Sequence, residues 1–311
     1  MSINANKTII SVVICTYNRS ELLSKCLLSL AEQSLGKELY EVIVADNNSS
    51  DDTCQIVEEH ARKEPNIRIC CEKKRGANHT RNTGVGLAAG EYIAFIDDDA
   101  VAYPDWLSNI HDYICQHREV VVFGGPYDSY SLVPTPEWFP PEYGMLFLGD
   151  NERPVKIGTE WIAGTNLIVK KDAFLSVGGF HGKLGSVENG VFYYGEETRL
   201  LIDLSERGFS VYYVPSVKVK HLIRSDKMSL KWLLFSAYTI GRRYELTFNV
   251  NKSLLSHIVS LVNELGSAIC QMLRPVNMSF KRRLYYSLYN LYYEAGALVE
   301  HVSSCIYEKK L

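Results

Sequence analysis

The fold is decided by the stretch EYIAFIDDD, which runs from Glu91 to Asp99. Its apolar part, Tyr92 to Ile96, is rich in β-branched and aromatic residues and predicts a buried strand. Such a strand is covered on both faces, so polar chemistry reaches solvent only at its end. Three adjacent carboxylates stand there and repel one another unless a cation lies beside them, and Mg²⁺ and Mn²⁺ prefer oxygen ligands. A solvated acidic turn is the alternative interpretation, and the rest of the chain favours the metal site.

The composition is that of a folded globular chain of 311 residues, with 46% hydrophobic and 22% charged residues. The charge is distributed unevenly. Residues 227–311 hold 11 Lys and Arg against 5 Asp and Glu, a net of +6, whereas residues 1–226 hold 22 against 31, a net of −9. We therefore expect two domains, an acidic catalytic domain over residues 1–226 and a basic, helical C-terminal region over residues 227–311.

The eight cysteines show no paired metal-ligand spacing, which favours reduced thiols in a cytoplasmic protein. Met1 to Thr8 lacks the apolar core of a signal peptide, and no uncharged apolar run reaches the length of about 18 residues that spans a membrane. We expect a cytoplasmic chain that is either free or peripheral on the inner face of the membrane.

Strands and helices alternate four times between residues 9 and 99, which predicts an α/β fold with a doubly wound parallel sheet. In such sheets ligands bind at the carboxyl ends of the strands, where Thr16, Tyr17, Asp46 and the aspartate triplet all fall. Polar groups at three strand ends predict one site. Neither the dinucleotide-binding glycine fingerprint nor the phosphate-loop motif follows the first strand, which argues against nicotinamide or flavin enzymes and against ATPases of that class.

Six short motifs follow one another in a fixed order. They are SVVICTYNR (11–19), VIVADNNSSDDT (42–53), RGANHTRNTG (75–84), GEYIAFIDDD (90–99), WIAGTN (161–166) and GEETRL (195–200). Each is weak alone, but together they resemble the inverting glycosyltransferases of family 2, over roughly residues 9–225. The spacing of Leu184-Gly185, Gly195-Glu196-Glu197 and His221-Leu222 is also similar to enzymes of bacterial exopolysaccharide and surface-glycan assembly. The resemblance implies the GT-A fold, a Rossmann-like mixed sheet flanked by helices, here with an α-helical C-terminal appendage.

The resemblance also implies a donor site. Four residues, Thr16, Tyr17, Arg19 and Asp46, would hold the nucleotide base, with Asp46 accepting a hydrogen bond from a uracil-type imide. Arg81 would contact the nucleotide or its phosphates, and Asp97 its ribose. Asp98 or Asp99 would approach a Mn²⁺ or Mg²⁺ ion on the diphosphate. Because Asp97 and Asp99 are the outer members of the Asp-x-Asp pattern, we predict Asp99 as the metal ligand and place Asp98 with the nucleotide.

Glu196 and Glu197 stand where the family often has Glu-Asp, and the second residue is the usual catalytic base. Glu197 therefore inherits that role, and Glu196 is the alternative base. Inversion requires the acceptor hydroxyl to lose its proton as it attacks, which a carboxylate within hydrogen-bond reach achieves. The competing interpretation is that the two glutamates only complement a helix dipole.

Three further residues are predicted to take part in the site. His221, at a strand end, is predicted as a second metal ligand, although a core or surface histidine is the common alternative. Trp161 and Asn166 are candidate acceptor contacts. Their alternatives are a core aromatic residue and a residue that caps or turns the backbone.

The C-terminal region has two open interpretations. Lys281-Arg282-Arg283 precedes several tyrosines, among them Tyr285, Tyr286 and Tyr289. The pattern suits a helix that packs on the body, and it also suits contact with an anionic membrane surface, which we favour. An apolar stripe from Leu255 to Met272 would pack on the body or on a second copy of the chain.

The sequence therefore predicts a metal-dependent inverting glycosyltransferase that moves a sugar from a nucleotide donor, most simply a UDP-sugar, to a glycan or lipid-linked glycan in bacterial polysaccharide synthesis. Two alternatives remain. A sugar nucleotidyltransferase would want a glycine-rich loop where residues 16–19 contain no glycine, and a catalytically silent GT-A scaffolding subunit would not need intact carboxylates. Expected partners are the donor, the acceptor, an anionic membrane surface and a second copy of the chain, and no nucleic acid.

Overall fold

The computed structural model describes residues 8–181, 184–185, 187–188, 191–192, 195–243, 247–248, 252–275 and 277–308. The chain forms two compact units. The first comprises Met1–Tyr130, Gly144–Phe192 and Glu196–Leu222, and the second comprises Ser131–Tyr143, Tyr193–Gly195 and Ile223–Leu311. The expected domains, residues 1–226 and 227–311, stay a prediction, because compactness does not test independent folding.

The first unit contains the β-strands and six of the α-helices described. The strands are β1 Ile10–Thr16, β2 Tyr40–Asp46, β3 Ile67–Cys71, β4 Tyr92–Asp97, β5 Ala100–Ala102, β6 Val122–Gly124, β7 Tyr127–Tyr130, β8 Arg153–Pro154, β9 Leu167–Lys170, β10 Val187–Glu188, β11 Val191–Phe192, β12 Val211–Tyr213 and β13 Val219–Leu222. The helices are α1 Ser20–Ala31, α2 Thr53–Lys63, α3 Ala77–Leu87, α4 Trp106–Gln116, α5 Lys171–Ser176 and α6 Glu196–Glu206, with a 3₁₀ turn at Gly164–Asn166.

The central sheet has eight strands in the order β3-β2-β1-β4-β9-β6-β12-β8. β3, β2, β1 and β4 run parallel, and β9 runs antiparallel to both β4 and β6. The expected mixed sheet flanked by helices is therefore confirmed, whereas an all-parallel sheet is wrong beyond β4. The register pairs Thr16 with Asp46 and Cys15 with Asp97, so the carboxyl ends of β1, β2 and β4 meet at one edge.

The two faces of this sheet are covered by different helices, which explains the continuous apolar runs in its strands. In β1, Val12 and Ile14 contact the cluster formed with α1, α2 and α4, while Val13 contacts the cluster formed with α3, α5 and α6. Successive side chains of a strand point to opposite faces, so a strand between two helical layers is apolar at every position. Polar side chains are left for the strand ends.

A separate three-stranded sheet, β5-β13-β7, brings a distant part of the chain to the end of β4. β13 pairs antiparallel with β5 and places His221 opposite Ala100. The backbone N–H of Leu222 donates to the carbonyl oxygen of Asp99 at 3.1 Å. His221 is thereby held directly beside the aspartate triplet.

The second unit is helical, with a 3₁₀ turn at Ser225–Lys227 and helices α7 Leu230–Gly241, α8 Leu254–Leu273 and α9 Phe280–Glu308. Its apolar cluster joins Phe139 to Leu233 and Leu234 of α7 and Tyr285 of α9. Among the residues described, no helix combines the length and apolarity needed to cross a bilayer.

Two arginines at the start of α9 form hydrogen bonds within this second unit. Arg282 donates to the backbone carbonyl oxygens of Glu137, Trp138 and Phe139, with distances of 3.1 Å to the last two. Arg283 Nη1 donates to Met272 O at 3.4 Å, and Tyr285 is buried. These contacts match the packing interpretation of Lys281-Arg282-Arg283 and its tyrosines. Membrane contact of this segment stays a prediction, with Arg282 and Tyr285 engaged inside the second unit.

Candidate active site

Asp97, Asp99 and His221 form one cluster at the end of β4. Their side-chain ligand atoms all lie within 4.8 Å of one another. His221 Nε2 is 3.2 Å from Asp99 Oδ1 and 3.7 Å from Asp97 Oδ2. Asp99 is buried, while Asp97 and His221 are partly exposed, so the cluster opens toward solvent on one side. Asp99 and His221, the predicted metal ligands, thus lie together, and Asp97, predicted to contact the ribose, lies with them.

These donors fit the predicted ion. Carboxylate oxygens suit Mg²⁺ and Mn²⁺, and an imidazole is the most common additional nitrogen ligand in proteins. With one ligand atom each, the three side chains leave about half of the octahedral positions of such an ion to other ligands, which suits an ion shared with a diphosphate. Asp97, Asp99 and His221 are therefore the residues that would hold Mn²⁺ or Mg²⁺.

Asp98, the middle member of the triplet, is turned away from this cluster. Its buried carboxylate accepts hydrogen bonds from Thr16 Oγ1 at 2.8 Å and from Arg19 Nη1 at 2.7 Å. Burial raises the pKa of Asp98 to about 6; the charge of Asp99 adds to this rise, and Arg19 and Thr16 oppose it. Arg19 Nη1 also lies 3.3 Å from Asp99 Oδ2. Thr16, Arg19 and Asp98 thus join the ends of β1 and β4, and their predicted nucleotide contacts stay a prediction.

Arg81 links the aspartates to the glutamates. Its Nη2 lies 3.1 Å from Asp97 Oδ1, and its Nη1 lies 2.9 Å from Glu196 Oε1 and 3.3 Å from Glu197 Oε1. Burial lowers the pKa of Arg81, but the charges of Glu197, Asp97 and Glu196 outweigh it and hold the pKa well above its ordinary value. A permanently charged, buried guanidinium therefore fixes the distance between the two acidic groups.

Glu196 and Glu197 begin α6 and differ in access to solvent. The side chain of Glu197 is 20% exposed, whereas that of Glu196 is 4% exposed. Burial raises the pKa of Glu197 to about 8; the charges of Glu196 and Asp97 add to the rise and Arg81 opposes it. No described residue donates a hydrogen bond to Glu196 Oε2. Glu197 is thus the more reachable carboxylate, and its affinity for a proton is raised.

Two glycines make room for this glutamate pair. A Cβ on Gly164 would lie 2.3 Å from Glu197 Oε1 and 2.8 Å from its Cγ. Gly185 has a φ of +75°, and a Cβ there would lie 3.2 Å from Glu196 Cδ. Gly164 lies in the WIAGTN motif and Gly185 in the Leu184-Gly185 pair, but nothing in the sequence pattern indicates that either glycine contacts a glutamate. Their role is visible only once the chain is folded.

The residues predicted to bind the nucleotide differ in their exposure to solvent. Asp46 is buried, and its carboxylate accepts hydrogen bonds from the backbone N–H and the hydroxyl of Ser49. Tyr17 is exposed, and the guanidinium carbon of Arg75 lies 4.3 Å from its ring centroid. Arg75 was not predicted as a site residue; its place beside Gly76 in the RGANHTRNTG motif was the available signal. Tyr17 and Arg75 offer a planar, cationic surface next to the end of β1.

The two candidate acceptor residues are placed in opposite environments. Trp161 is 52% exposed, as an acceptor contact requires. Asn166 is fully buried: its Oδ1 accepts from Trp106 Nε1 at 2.9 Å, and its Nδ2 donates to Pro126 O at 3.0 Å and Val217 O at 2.8 Å. Because every one of these groups is used inside the protein, the acceptor prediction for Asn166 is corrected to a structural role.

Comparison with solved structures identifies the fold. The mannosyltransferase PcManGT from Pyrobaculum calidifontis, solved with GDP-Man and Mn²⁺, has a TM-score of 0.62 at 17% identity, over 96% of this chain and 88% of that chain. S. aureus TarS 1-349, solved with UDP-GlcNAc, has a TM-score of 0.55 at 16% identity, over 96% and 91% of the two chains. At these identities the likeness concerns the fold, and it confirms the expected GT-A architecture.

Comparison of sequences identifies the family. A glucosyl-dolichyl phosphate glucuronosyltransferase from Haloferax volcanii is 29% identical over 238 residues, which is 75% of this chain and 75% of that protein. The family model for glycosyl transferase family 2 matches residues 11–175. This match contains the first five of the six motifs and the aspartate triplet. The chain is therefore a glycosyltransferase that belongs to glycosyl transferase family 2.

Proposed function

We propose that this glycosyltransferase is metal-dependent and inverting, and that it transfers a sugar from a UDP-sugar to a lipid-linked glycan. One observation carries the proposal: Arg81 binds Asp97 of the triplet and the Glu196–Glu197 pair at the same time. A donor site and a candidate base are thereby held at a fixed distance, as direct displacement at one sugar carbon requires. The roles given to individual residues below are part of the proposal.

Glu197 is the proposed base. Its carboxylate would accept the proton of the acceptor hydroxyl while the hydroxyl oxygen attacks the anomeric carbon of the donor sugar. Burial raises the pKa of Glu197 to about 8, so its ionised carboxylate binds a proton more tightly than an ordinary glutamate does, and that ionised form becomes populated as the pH rises toward 8. Gly164 and Arg81 restrict the carboxylate from two sides, so its lone pairs are held in position before substrate binds.

Asp97, Asp99 and His221 are the proposed metal ligands. A bound Mn²⁺ or Mg²⁺ would neutralise the negative charge that develops on the leaving nucleoside diphosphate. Asp98 would act indirectly, by holding Thr16 and Arg19 against the triplet. Tyr17 and Arg75 provide a flat, positively charged surface, which suits stacking with a nucleotide base.

The donor nucleotide and the acceptor are proposed from relatives. TarS was solved with UDP-GlcNAc and PcManGT with GDP-Man, so both nucleotides occur among proteins of this fold. The name of the Haloferax relative includes glucosyl-dolichyl phosphate, a lipid-linked sugar. We favour UDP because the family resemblance gives Asp46, at the end of β2, the role of accepting from a uracil-type imide. The exposed Trp161 is the proposed platform for an acceptor sugar.

The test is a panel of nucleotide sugars assayed for thermal shift and for turnover, each with Mn²⁺ and with chelator. A ligand that binds only the native state raises its stability. We expect UDP-sugars to give the largest shift, to require the cation, and to release UDP in the presence of a lipid-linked acceptor. A GDP-sugar preference would overturn the nucleotide assignment, and retained turnover in chelator would overturn metal dependence.

The same assay separates the alternatives. A sugar nucleotidyltransferase would consume a nucleoside triphosphate and a sugar phosphate and release pyrophosphate, whereas a silent subunit would bind donor without turnover. The family assignment does not favour the nucleotidyltransferase. Inversion is tested by the product: an α-linked donor should yield a β-linked sugar, read from the anomeric proton coupling by NMR.

A further inference from the structure

Helix α8 exposes most of its apolar side chains. The large apolar residues of this helix that are 43% to 78% exposed are Leu254, Leu255, Ile258, Val259, Val262, Leu265, Ile269 and Leu273. The buried residues of the helix are His257 and Ala268. The apolar stripe predicted from the sequence therefore exists, but within the second unit it faces outward. Apolar patches of this extent mark interaction surfaces.

An apolar groove adjoins this face. It has a volume of about 470 Å³ and lies between α7, α8 and α9. Val262 and Leu265 of α8 line it together with Leu291 and Ala295 of α9. The groove shares two residues with the exposed face, so the two form one continuous apolar surface. We call this surface, the outer side of α8 with its groove, the α8 face.

The segment that contains α8 is basic. Residues 252–283 contain five Lys and Arg and a single acidic residue, Glu264. Lys252 precedes the helix and Arg274 follows it. The hydrogen bond from Arg283 to Met272 O brings the start of α9, with the exposed Lys281, to the same end of α8 as Arg274. An exposed aromatic residue, Phe280, completes that end.

We propose that the α8 face docks on the surface of an anionic lipid bilayer. An apolar helix face flanked by cations, with an aromatic residue at its border, is the arrangement that binds the headgroup region of anionic membranes. The helix would lie in the plane of the interface, and the groove would take an acyl chain. This inference goes beyond the proposed function, and its test needs no turnover.

A second copy of the chain is the less favourable occupant. Pairing two α8 helices antiparallel would place Lys252 of one copy near Arg274 of the other, and pairing them parallel would place the two Arg274 residues together. Like charges would meet in either arrangement, which opposes both. An anionic surface, by contrast, complements Arg274 and Lys281, which are both exposed.

The test is sedimentation of the full chain with vesicles of phosphatidylcholine containing phosphatidylglycerol. The triple variant Leu255→Gln, Val262→Gln and Ile269→Gln should bind these vesicles about tenfold more weakly, because binding scales with the apolar area inserted. A control changes three exposed leucines of the first unit to Gln: Leu28, Leu87 and Leu175, which are 46% to 53% exposed, against 54% to 70% for the three α8 residues. The control should bind as the unchanged protein does.

Charge is tested separately, with Arg274→Gln and Lys281→Gln. This variant should bind more weakly at low salt and should lose most of the salt dependence. Should the α8 triple variant fail to fold, Val262→Trp replaces it, and brominated lipid should quench the fluorescence that this residue adds. Sedimentation velocity of the protein without vesicles tests whether a second copy of the chain occupies the α8 face instead.

The proposal is overturned if the unchanged protein ignores anionic vesicles at low salt, or if the α8 triple variant and its control bind equally. It is also overturned if the protein is a dimer without lipid and the α8 substitutions make it monomeric while vesicle binding is unaffected. A negative result in the vesicle assay would not change the expected result of the donor-turnover assay. The two proposals are therefore tested independently.

Discussion

Gly164 lies directly against the carboxylate of Glu197, so closely that a Cβ on residue 164 would come within 2.3 Å of Glu197 Oε1. The glycine belongs to the 3₁₀ turn before β9, and the glutamate belongs to the first turn of α6. Two elements far apart in the sequence thus meet at the proposed base. Gly164 has no side chain, and this leaves the room that the Glu197 carboxylate occupies.

Gly164→Ala should therefore displace Glu197 and lower kcat by about a hundredfold, the penalty typical of a misplacement of about 1 Å. Affinity for UDP and Mn²⁺ should change little, because Asp97, Asp99 and His221 are untouched. Gly86→Ala is the control, since a Cβ on Gly86 has no heavy atom within 4 Å. Steady-state transfer kinetics with calorimetric UDP binding measure the two effects. Unchanged kcat in Gly164→Ala would remove the positioning role.

Glu197→Gln should keep donor binding and lose transfer by roughly a hundred- to ten-thousandfold, the usual effect of removing a general base. Glu196→Gln should be milder, because Glu196 is nearly inaccessible and one of its oxygens already binds Arg81. Single-turnover assays at saturating donor separate chemistry from binding. An inactive Glu196→Gln beside an active Glu197→Gln would reverse the assignment of the base.

The raised pKa of Glu197 predicts a stability difference that depends on pH. A carboxyl group with a pKa of about 8 in the folded state and about 4.5 unfolded favours folding only while it is protonated. That contribution is complete below about pH 4.5 and is lost as the pH rises through 8. Glu197→Gln should therefore match the unchanged protein in Tm at pH 4 and exceed it increasingly toward pH 8.

Glu160 supplies a control of opposite sign for this titration. Its salt bridge with Arg153 lowers its pKa to about 2, so its contribution is present above about pH 4.5 and is lost as the pH falls. Glu160→Gln should lower Tm at neutral pH and have no effect near pH 2. Differential scanning fluorimetry from about pH 2 to about pH 9 measures both variants. A Glu197→Gln curve parallel to that of the unchanged protein would contradict the raised pKa.

Asp99→Ala should abolish the cation dependence of UDP binding, and His221→Ala should weaken it, because both side chains belong to the proposed metal cluster. Asp98→Asn should instead lower Tm through its bonds to Thr16 and Arg19, with Mn²⁺ binding retained. Electron paramagnetic resonance of added Mn²⁺ reports metal binding directly. Equal UDP affinity of Asp99→Ala and the unchanged protein, each with Mn²⁺, would remove the metal assignment.

Asn166→Ala should destabilise the protein, whereas Trp161→Ala should change only acceptor use. Removing the Asn166 amide takes away the hydrogen-bond partner of Trp106 Nε1 and of Val217 O, and each such group costs about 1–3 kcal/mol. Pro126 O loses one of its two donors and keeps the Val219 N–H at 3.4 Å. Trp161 is exposed, so its removal should raise KM for the acceptor with Tm unchanged. Denaturant unfolding and acceptor titrations separate the two effects. A Trp161→Ala variant with an unchanged acceptor KM would exclude the platform.

Much of the architecture could be predicted because it depends on local pattern. The apolar runs of β1, β2 and β4 and the helical spacing between them are visible in the sequence, and the rule that parallel strands present their ends together placed Thr16, Asp46 and Asp97 at one edge. The antiparallel β9 could not be predicted in this way. A buried strand carries the same apolar residues whichever direction it runs, so its pairing with β4 depends on the connection and not on its composition.

By itself, the sequence determined the α/β class, the family and the residue types of the site, since these rest on motifs and on period-two and period-3.6 patterns. Only the tertiary structure decided which carboxylates face one another. It turned Asp98 inward to Arg19, brought His221 to Asp99 through the pairing of β13 with β5, placed Gly164 against Glu197 and left the apolar side of α8 exposed. The physical reason is that these relationships are contacts between segments that are distant in the sequence. Residue type alone does not specify which distant segments meet or how their side chains are oriented.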